Sequence, residues 1–365
     1  SPTVGNDNTL YIGSNDKNLY ALNAENGTLN WATTTNSSIF SSSTLGDDDV
    51  VYVGSNDNKL YAFSTVERGQ HLTVTATSSS TWSLTEHATV NVGDRPFFTE
   101  AGDFNSDGHS DTATVNYNDD TVTIMLGGGN GSLTSAGTYA TGKNPTHLSI
   151  GDFNADGKLD LAVANRNETA SANADTVTIL LGAGDGSFTT GETLSVGKGP
   201  EYVVTSDFNA DGKLDLAVAS GGANAVSVLL GNGNGGFNAA SDLAVGDAPH
   251  ELVAGDFNGD NKIDLAVANR ASNSVSILLG NSDGSFGSAT SFSANADPTS
   301  IVTHDLNDDN HLDLIVGNSN GASVLLGDGN GAFGAPTLYS TGSSISGIEL
   351  SDLDQDGNID LVTAN

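Results

Sequence analysis

Cysteine is absent from the 365 residues, so neither a disulfide framework nor a thiolate metal site can hold the chain together. Basic residues are scarce: 11 Lys and Arg stand against 45 Asp and Glu, a formal net charge of −34 at pH 7. A surface of that sign repels nucleic-acid phosphate and anionic lipid, and both partner classes fall away. No apolar run approaches the roughly 18 to 20 residues of a membrane span. Any stabilising device beyond packing must therefore be oxygen-ligated, which favours a hard divalent cation. No charged and apolar leader precedes Ser1, and the segment reads as a processed or excised region. A vocabulary of Ser, Thr, Asn, Gly and Asp suits salty, calcium-rich surroundings, so the expected location is extracellular or at the cell surface.

What is present is repetition. Six related segments begin at Asp103 (DFNSDGHSD), Asp152 and Asp207 (both DFNADGKLD), Asp256 (DFNGDNKID), Asp305 (DLNDDNHLD) and Asp352 (DLDQDGNID). A period near 50 residues means stacked units that cannot bury their faces alone. Within each unit the order HLSIGDF, LDLAVAN, DTVTILLG, GAGDGSF, ETLSVGKGP recurs. Short apolar runs of Val, Ile and Leu between Gly, Asn and Asp read as four strands per unit. The expected fold is all-β, a single β-propeller of four-stranded blades. Seven blades is the expected count and eight the alternative. In the seven-bladed reading the GIELSD strand completes the blade begun by the N-terminal repeat.

The nine-residue segments carry metal-ligand spacing. Side-chain oxygens fall at positions 1, 3, 5 and 9, and position 7 offers a backbone carbonyl. The candidate sets are Asp103, Asn105, Asp107, His109 and Asp111; Asp152, Asn154, Asp156, Lys158 and Asp160; and Asp207, Asn209, Asp211, Lys213 and Asp215. The later three are Asp256, Asn258, Asp260, Lys262 and Asp264; Asp305, Asn307, Asp309, His311 and Asp313; and Asp352, Asp354, Asp356, Asn358 and Asp360. Gly157 and its equivalents at position 6 let the chain fold back over an ion, as the glycine of the EF-hand loop does. Asn261 and Asn310 replace that glycine with the other residue that tolerates a left-handed backbone. Asx-turns alone do not require three or four carboxylates within nine residues, six times over. Up to six Ca2+ ions are expected.

The first 95 residues use different repeats, YIGSNDKNLYALNAENGTLNW from Tyr11 and YVGSNDNKLYAF from Tyr52. These resemble PQQ-like propeller repeats, whereas the six later units resemble the FG-GAP (VCBS) repeats of integrin-α-type propellers and certain fungal lectins. The division that follows is 1–95, PQQ-like repeats forming the first blades, and 96–365, calcium-binding blades of the same propeller. The resemblance implies that the metal loops lie between strands.

Several tempting motifs lack their context. The stretches from Gly280 to Gly284 and from Gly317 to Gly321 fit GxSxG, but neither precedes a helical pattern. Ser282 occupies the turn that reads GAGDG in a sister repeat. Gly231, Gly233 and Gly236 fit GxGxxG without a surrounding βαβ unit. No pair among His71, His87, His109, His147, His250, His304 and His311 has zinc-helix spacing. Two PQQ-like repeats do not make a quinone-dehydrogenase site.

Strand order sets the faces. The metal loops and the GDGSF turns share one side. The other collects the turns GDRP, GKNP, GKGP and GDAP, together with Arg95, Phe97, Lys143, Arg166, Lys198, Tyr202 and Arg270. That face, enlarged by an insertion near Arg166 to Asp175, is the candidate ligand surface, since binding residues accumulate on loops of rigid scaffolds. The expected function is non-enzymatic recognition or adhesion toward a glycan or extracellular protein. The alternatives are a self-assembling subunit of a surface layer or fibre and, because FG-GAP-like propellers can carry such activity, a polysaccharide lyase or hydrolase.

Overall fold

The computed structural model describes residues 2–5, 9–23, 27–39, 41, 43–46, 50–64, 85–129, 131–168, 175–341, 343–352 and 359–364. Seven four-stranded antiparallel sheets follow one another along the chain, and among the described residues there is no helix. They are blades 1 (residues 3–34), 2 (44–91), 3 (96–140), 4 (145–195), 5 (200–244), 6 (249–293) and 7 (300–340). The chain is a seven-bladed β-propeller. Among the described residues, no helix is long and apolar enough to cross a membrane.

Strand composition follows burial. The second strands, Asp160–Asn165, Asp215–Ser220 and Asp264–Asn269, are buried at every residue, because each packs against a neighbouring blade on both faces. Such strands read as near-continuous apolar runs. The outer strands, such as Leu133–Ala140 and Ser241–Ala244, are largely exposed and polar.

The core consists of joints between blades. Phe104, Val115 and Ile124 of blade 3 pack with Leu148, Leu161 and Phe188 of blade 4. Equivalent clusters join blades 4 to 5, 5 to 6 and 6 to 7. A recurring aromatic pair marks these joints. Phe104–Phe188, Phe153–Phe237, Phe208–Phe286 and Phe257–Phe333 meet edge-on with centroids 5.6, 5.7, 5.7 and 5.9 Å apart. The first partner is position 2 of a nine-residue loop, and the second ends the Gly-rich turn of the next blade. Backbone bonds reinforce three of the joints, from Gly186 N to Phe104 O, Gly235 N to Phe153 O and Gly331 N to Phe257 O.

The expected closure is corrected. The N-terminal blade has its own inner strand, Thr3–Val4, paired to the next through Val4 and Leu10. Gly347–Ser351 therefore has no vacancy to fill there, and it pairs with Asp360–Ala364 in a separate two-stranded sheet. This sheet packs on blade 7 through Ile345 and Ile348 and on blade 1 through Val362 and Leu10, so it closes the ring.

Candidate functional site

The nine-residue loops share one geometry. In blade 4 the Asp156 amide donates to Asp152 Oδ1 (3.1 Å) and Asn154 Oδ1 (2.9 Å). The Gly157 amide donates to Asp152 Oδ2 (2.8 Å), and the Lys158 amide to Asp156 Oδ1 (3.0 Å). The same four bonds recur in blades 3, 5, 6 and 7. Position 6 is left-handed throughout: φ is 79° at Gly157, 60° at Asn261 and 64° at Asn310. Of the sixth set, Asp354, Asp356 and Asn358 lie outside the described residues, and Asp352 and Asp360 flank them.

Position 9 differs in kind from the other three. Asp111, Asp160, Asp215, Asp264 and Asp313 are wholly buried. Asp160 accepts from Phe153 N (3.0 Å) and Gly182 N (2.8 Å), tying its loop to the end of the third strand. Asp111, Asp215, Asp264 and Asp313 make the equivalent pair of bonds. Gly182 is required at this closure, because an added Cβ would stand 2.2 Å from Leu159 O. Burial, reinforced by the charges of Asp107 and Asp103, pushes Asp111 up to about 6 against the two amides.

The exposed position 7 lysines turn back on position 5. Lys213 Nζ is 3.0 Å from Asp211 and Lys262 Nζ 2.8 Å from Asp260. These bonds hold both carboxyls below their usual range. Among the described residues, no three His, Asp or Glu side chains stand together as a metal-holding group. The loops offer instead two or three aspartates, an Asn oxygen and a backbone carbonyl. Each position 9 oxygen also keeps a second lone pair beside its amide bond. An all-oxygen set of this kind fits calcium rather than a softer metal.

The opposite face holds a cavity of about 780 Å³. Its walls combine the N-terminal ends of inner strands, with Phe97, Phe98, His147, Tyr202 and Glu251 among them, with Ile12 and Tyr20 of blade 1 and Thr363 of the closing sheet. The second residue after each strand-opening proline recurs around the axis: Phe98, His147, Tyr202, Glu251 and Ser300. Phe98 and His147 rings are 4.1 Å apart, and His147 stacks on Tyr202 at 3.7 Å. A second chamber of about 250 Å³ shares Phe98, His147 and Tyr202 as walls and adds Glu100.

Burial dominates the electrostatics here. Glu251 and Glu100 keep part of their surface on the cavities yet are surrounded by protein, and desolvation pushes each up to about 7. Desolvation likewise pulls His147 down to about 3 and lowers His250. Tyr202 is raised well above its usual value by burial and then by the charges of Glu251, Glu100 and Glu349.

Of the sequence candidates, Phe97 and Tyr202 line the cavity, and no lysine or arginine does. Most cations of the candidate ligand surface are engaged within the chain. Lys143 pairs with Asp120, Arg166 with Glu201, and Arg270 with Asp297 at 2.7 Å. Arg95 lies over Tyr117, 4.3 Å from its centroid. Lys198 is exposed on the same face. With four acids to every base, most basic side chains find an acidic or aromatic neighbour within reach. Asn165 and Asn269 are buried at strand ends and donate to Thr178 Oγ1 (3.0 Å) and Ser276 Oγ (2.9 Å). Sequence reasoning missed Glu100 and Glu349, which lie on inner strands of blade 3 and of the closing two-stranded sheet and carry no shared sequence signal. Ser282 lies exposed in a hairpin turn closed by the Gly280–Phe286 bridge.

A profile described as the FG-GAP-like repeat matches residues 103–163, 207–267, 256–316 and 305–363. No curated protein matches the chain. Among solved structures, the chain is similar to an Agrocybe aegerita lectin described as recognising non-reducing terminal N-acetylglucosamine. That pair is 16% identical over 100% of this chain and 99% of the lectin, with a TM-score of 0.56. It is also similar to Saccharomyces cerevisiae Sqt1, at 11% identity over 100% and 92% of the two chains and a TM-score of 0.71. A third similar structure is the dihydro-heme d1 dehydrogenase NirN, at 12% identity over 93% of this chain and 65% of that one, with a TM-score of 0.62. At these identities the three share the fold.

Proposed function

The chain belongs to the FG-GAP-like repeat family, and from that premise we propose that it is an extracellular, calcium-binding recognition module whose partner is a glycan. The observation that carries this reading is the axial cavity. Phe97, Phe98 and Tyr202 offer ring faces and Glu201 and Glu251 offer acceptors, the combination that sugar rings and hydroxyls require. The lectin neighbour supports the same class of partner, and the dehydrogenase neighbour is a reminder that the fold also serves enzymes. Calcium, bound at the nine-residue loops, would stiffen the face away from the cavity. Extracellular modules bind it at millimolar levels, and this links the loops to the location expected from composition.

Binding of calcium-replete protein to a glycan array, repeated with Tyr202→Ala and with a substitution in a Gly-rich turn such as Asp185→Ala, tests the reading. Loss of binding in the first variant and retention in the second is expected. The opposite pattern places the site on the loop face and ends this proposal.

One observation favours a second reading, self-assembly. Asp360–Ala364 pairs on one side only among the described strands, and Leu361 is 37% exposed beside it. An open strand edge is a template for strand addition. Calcium-dependent growth in molar mass with protein concentration, measured by light scattering, would support it, and a constant monomer mass would remove it.

A further inference from the structure

The cavity carries more information than its size. Its charged wall groups are the carboxyls Glu201 and Glu251, with no lysine or arginine among them. Glu201 is already paired with Arg166, which leaves Glu251, held by hydrogen bonds from Ser300 and Ile301, as the carboxyl of the upper chamber with no cationic side chain beside it. Glu100 faces the chamber below, across the shared wall of Phe98, His147 and Tyr202. A group in the upper chamber meets the Glu251 carboxyl and aromatic rings at the side, which is the environment that attracts an organic ammonium.

His147 adds an independent requirement. Its ring is 6% exposed, and Nδ1 accepts the Val203 amide at 3.5 Å. Burial keeps the imidazole neutral, so the proton resides on Nε2. That N–H has no hydrogen-bond partner among the described residues, and buried polar groups are ordinarily satisfied. The wall shared by the two chambers therefore lacks one acceptor. A ligand that supplies an oxygen beside its ammonium meets both demands, whereas a plain alkylamine meets only one.

We propose that the axial cavity selects a sugar with a free amino group next to a hydroxyl, a 2-amino-2-deoxy sugar, with the ammonium at Glu251 and an oxygen toward His147. The inference rests on the glycan reading above and narrows it. Carboxylated sugars are excluded by the same walls, and the formal charge of −34 adds long-range attraction for a cationic ligand.

Titration calorimetry of the full calcium-replete chain with glucosamine, N-acetylglucosamine, glucose and glucuronate tests it. Glucosamine is expected to bind at least tenfold more tightly than N-acetylglucosamine or glucose, with glucuronate silent. Glu251→Gln, which removes the ionisable carboxyl and keeps the shape, is expected to abolish the preference for the amine while neutral-sugar affinity stays. Equal or weaker binding of glucosamine relative to N-acetylglucosamine overturns this inference and leaves the glycan reading standing. Retention of the amine preference in Glu251→Gln overturns the assigned position of the charge. Binding of methylammonium with no response to any sugar, or no binding by any probe, overturns both readings.

Discussion

His147 and Tyr202 lie face to face, their ring centroids 3.7 Å apart and their planes 27° apart. They come from the inner strands of adjacent blades, at the same offset from the proline that opens each strand. The stack closes one side of the axial cavity and shields Tyr202 from water. The floor of the candidate site is thus made of the same side chains that join blades 4 and 5.

Removing calcium should lower thermal stability, and adding it back should restore it. A ligand that binds only the native state stabilises by about 2.7 kcal/mol per independent site at a hundredfold excess over its dissociation constant. Differential scanning calorimetry with and without chelator measures this. An unchanged melting curve would sink the calcium assignment.

The two kinds of loop aspartate should separate in chelator. Asp160→Ala strands two buried amides, those of Phe153 and Gly182, at about 1–3 kcal/mol each. Asp156→Ala exposes nothing buried, so its cost should appear only with calcium present. Equal losses for the two variants in chelator would contradict the distinction.

The edge-on phenylalanine pairs should couple neighbouring blades. Buried Phe208→Ala should cost about 3–5 kcal/mol and half-buried Phe286→Ala less, with an interaction energy of about 0.5–1.5 kcal/mol in a double-mutant cycle. Phe208 with Phe333, which belong to different joints, serves as the control. A coupling no larger than the control's would show that the contact is incidental.

Stability should respond to pH through the buried acids. Glu251 has its folded value raised to about 7 from 4.5, so between those values the native state holds a proton that the unfolded chain has lost. Its contribution is fully present below 4.5 and is lost as pH rises through 7. His147, lowered to about 3 from 6.5, contributes above 6.5 and loses that contribution as pH falls toward 3. Glu251→Gln should therefore stabilise the protein more at pH 8 than at pH 5, as denaturant titrations at the two values would record. A pH-independent difference would show that Glu251 titrates normally.

Ser282→Ala should leave stability within about 0.5 kcal/mol, since the side chain is exposed in a turn. A larger loss, or the disappearance of a hydrolytic activity, would reinstate the nucleophile reading.

The repeat, the four-stranded blades and the loop backbone were legible in the sequence because each is local. A period near 50 residues, apolar runs and a Gly or Asn at position 6 are all set within one unit. Ring closure was not legible, because two short residues, Thr3 and Val4, decide whether the N-terminal blade needs a strand from elsewhere. The pairing of the cations on the candidate face was not legible for a similar reason. Whether Arg166 is free depends on Glu201, 35 residues away. The axial carboxyls emerge only when inner strands of different blades are brought around one axis, and no single unit contains that ring.

The repeats of blades 4, 5 and 6 each carry both halves of a coupling that is completed only by their neighbours: the loop phenylalanine that receives and the turn phenylalanine that docks. Excising residues 207–255 would remove Phe208 and Phe237 together and leave Phe153 facing Phe286, the same chemistry across a new seam. The architecture is in this sense indifferent to copy number. A lineage can lengthen or shorten it by whole units through unequal exchange of its own coding sequence, without inventing a new interface at any step.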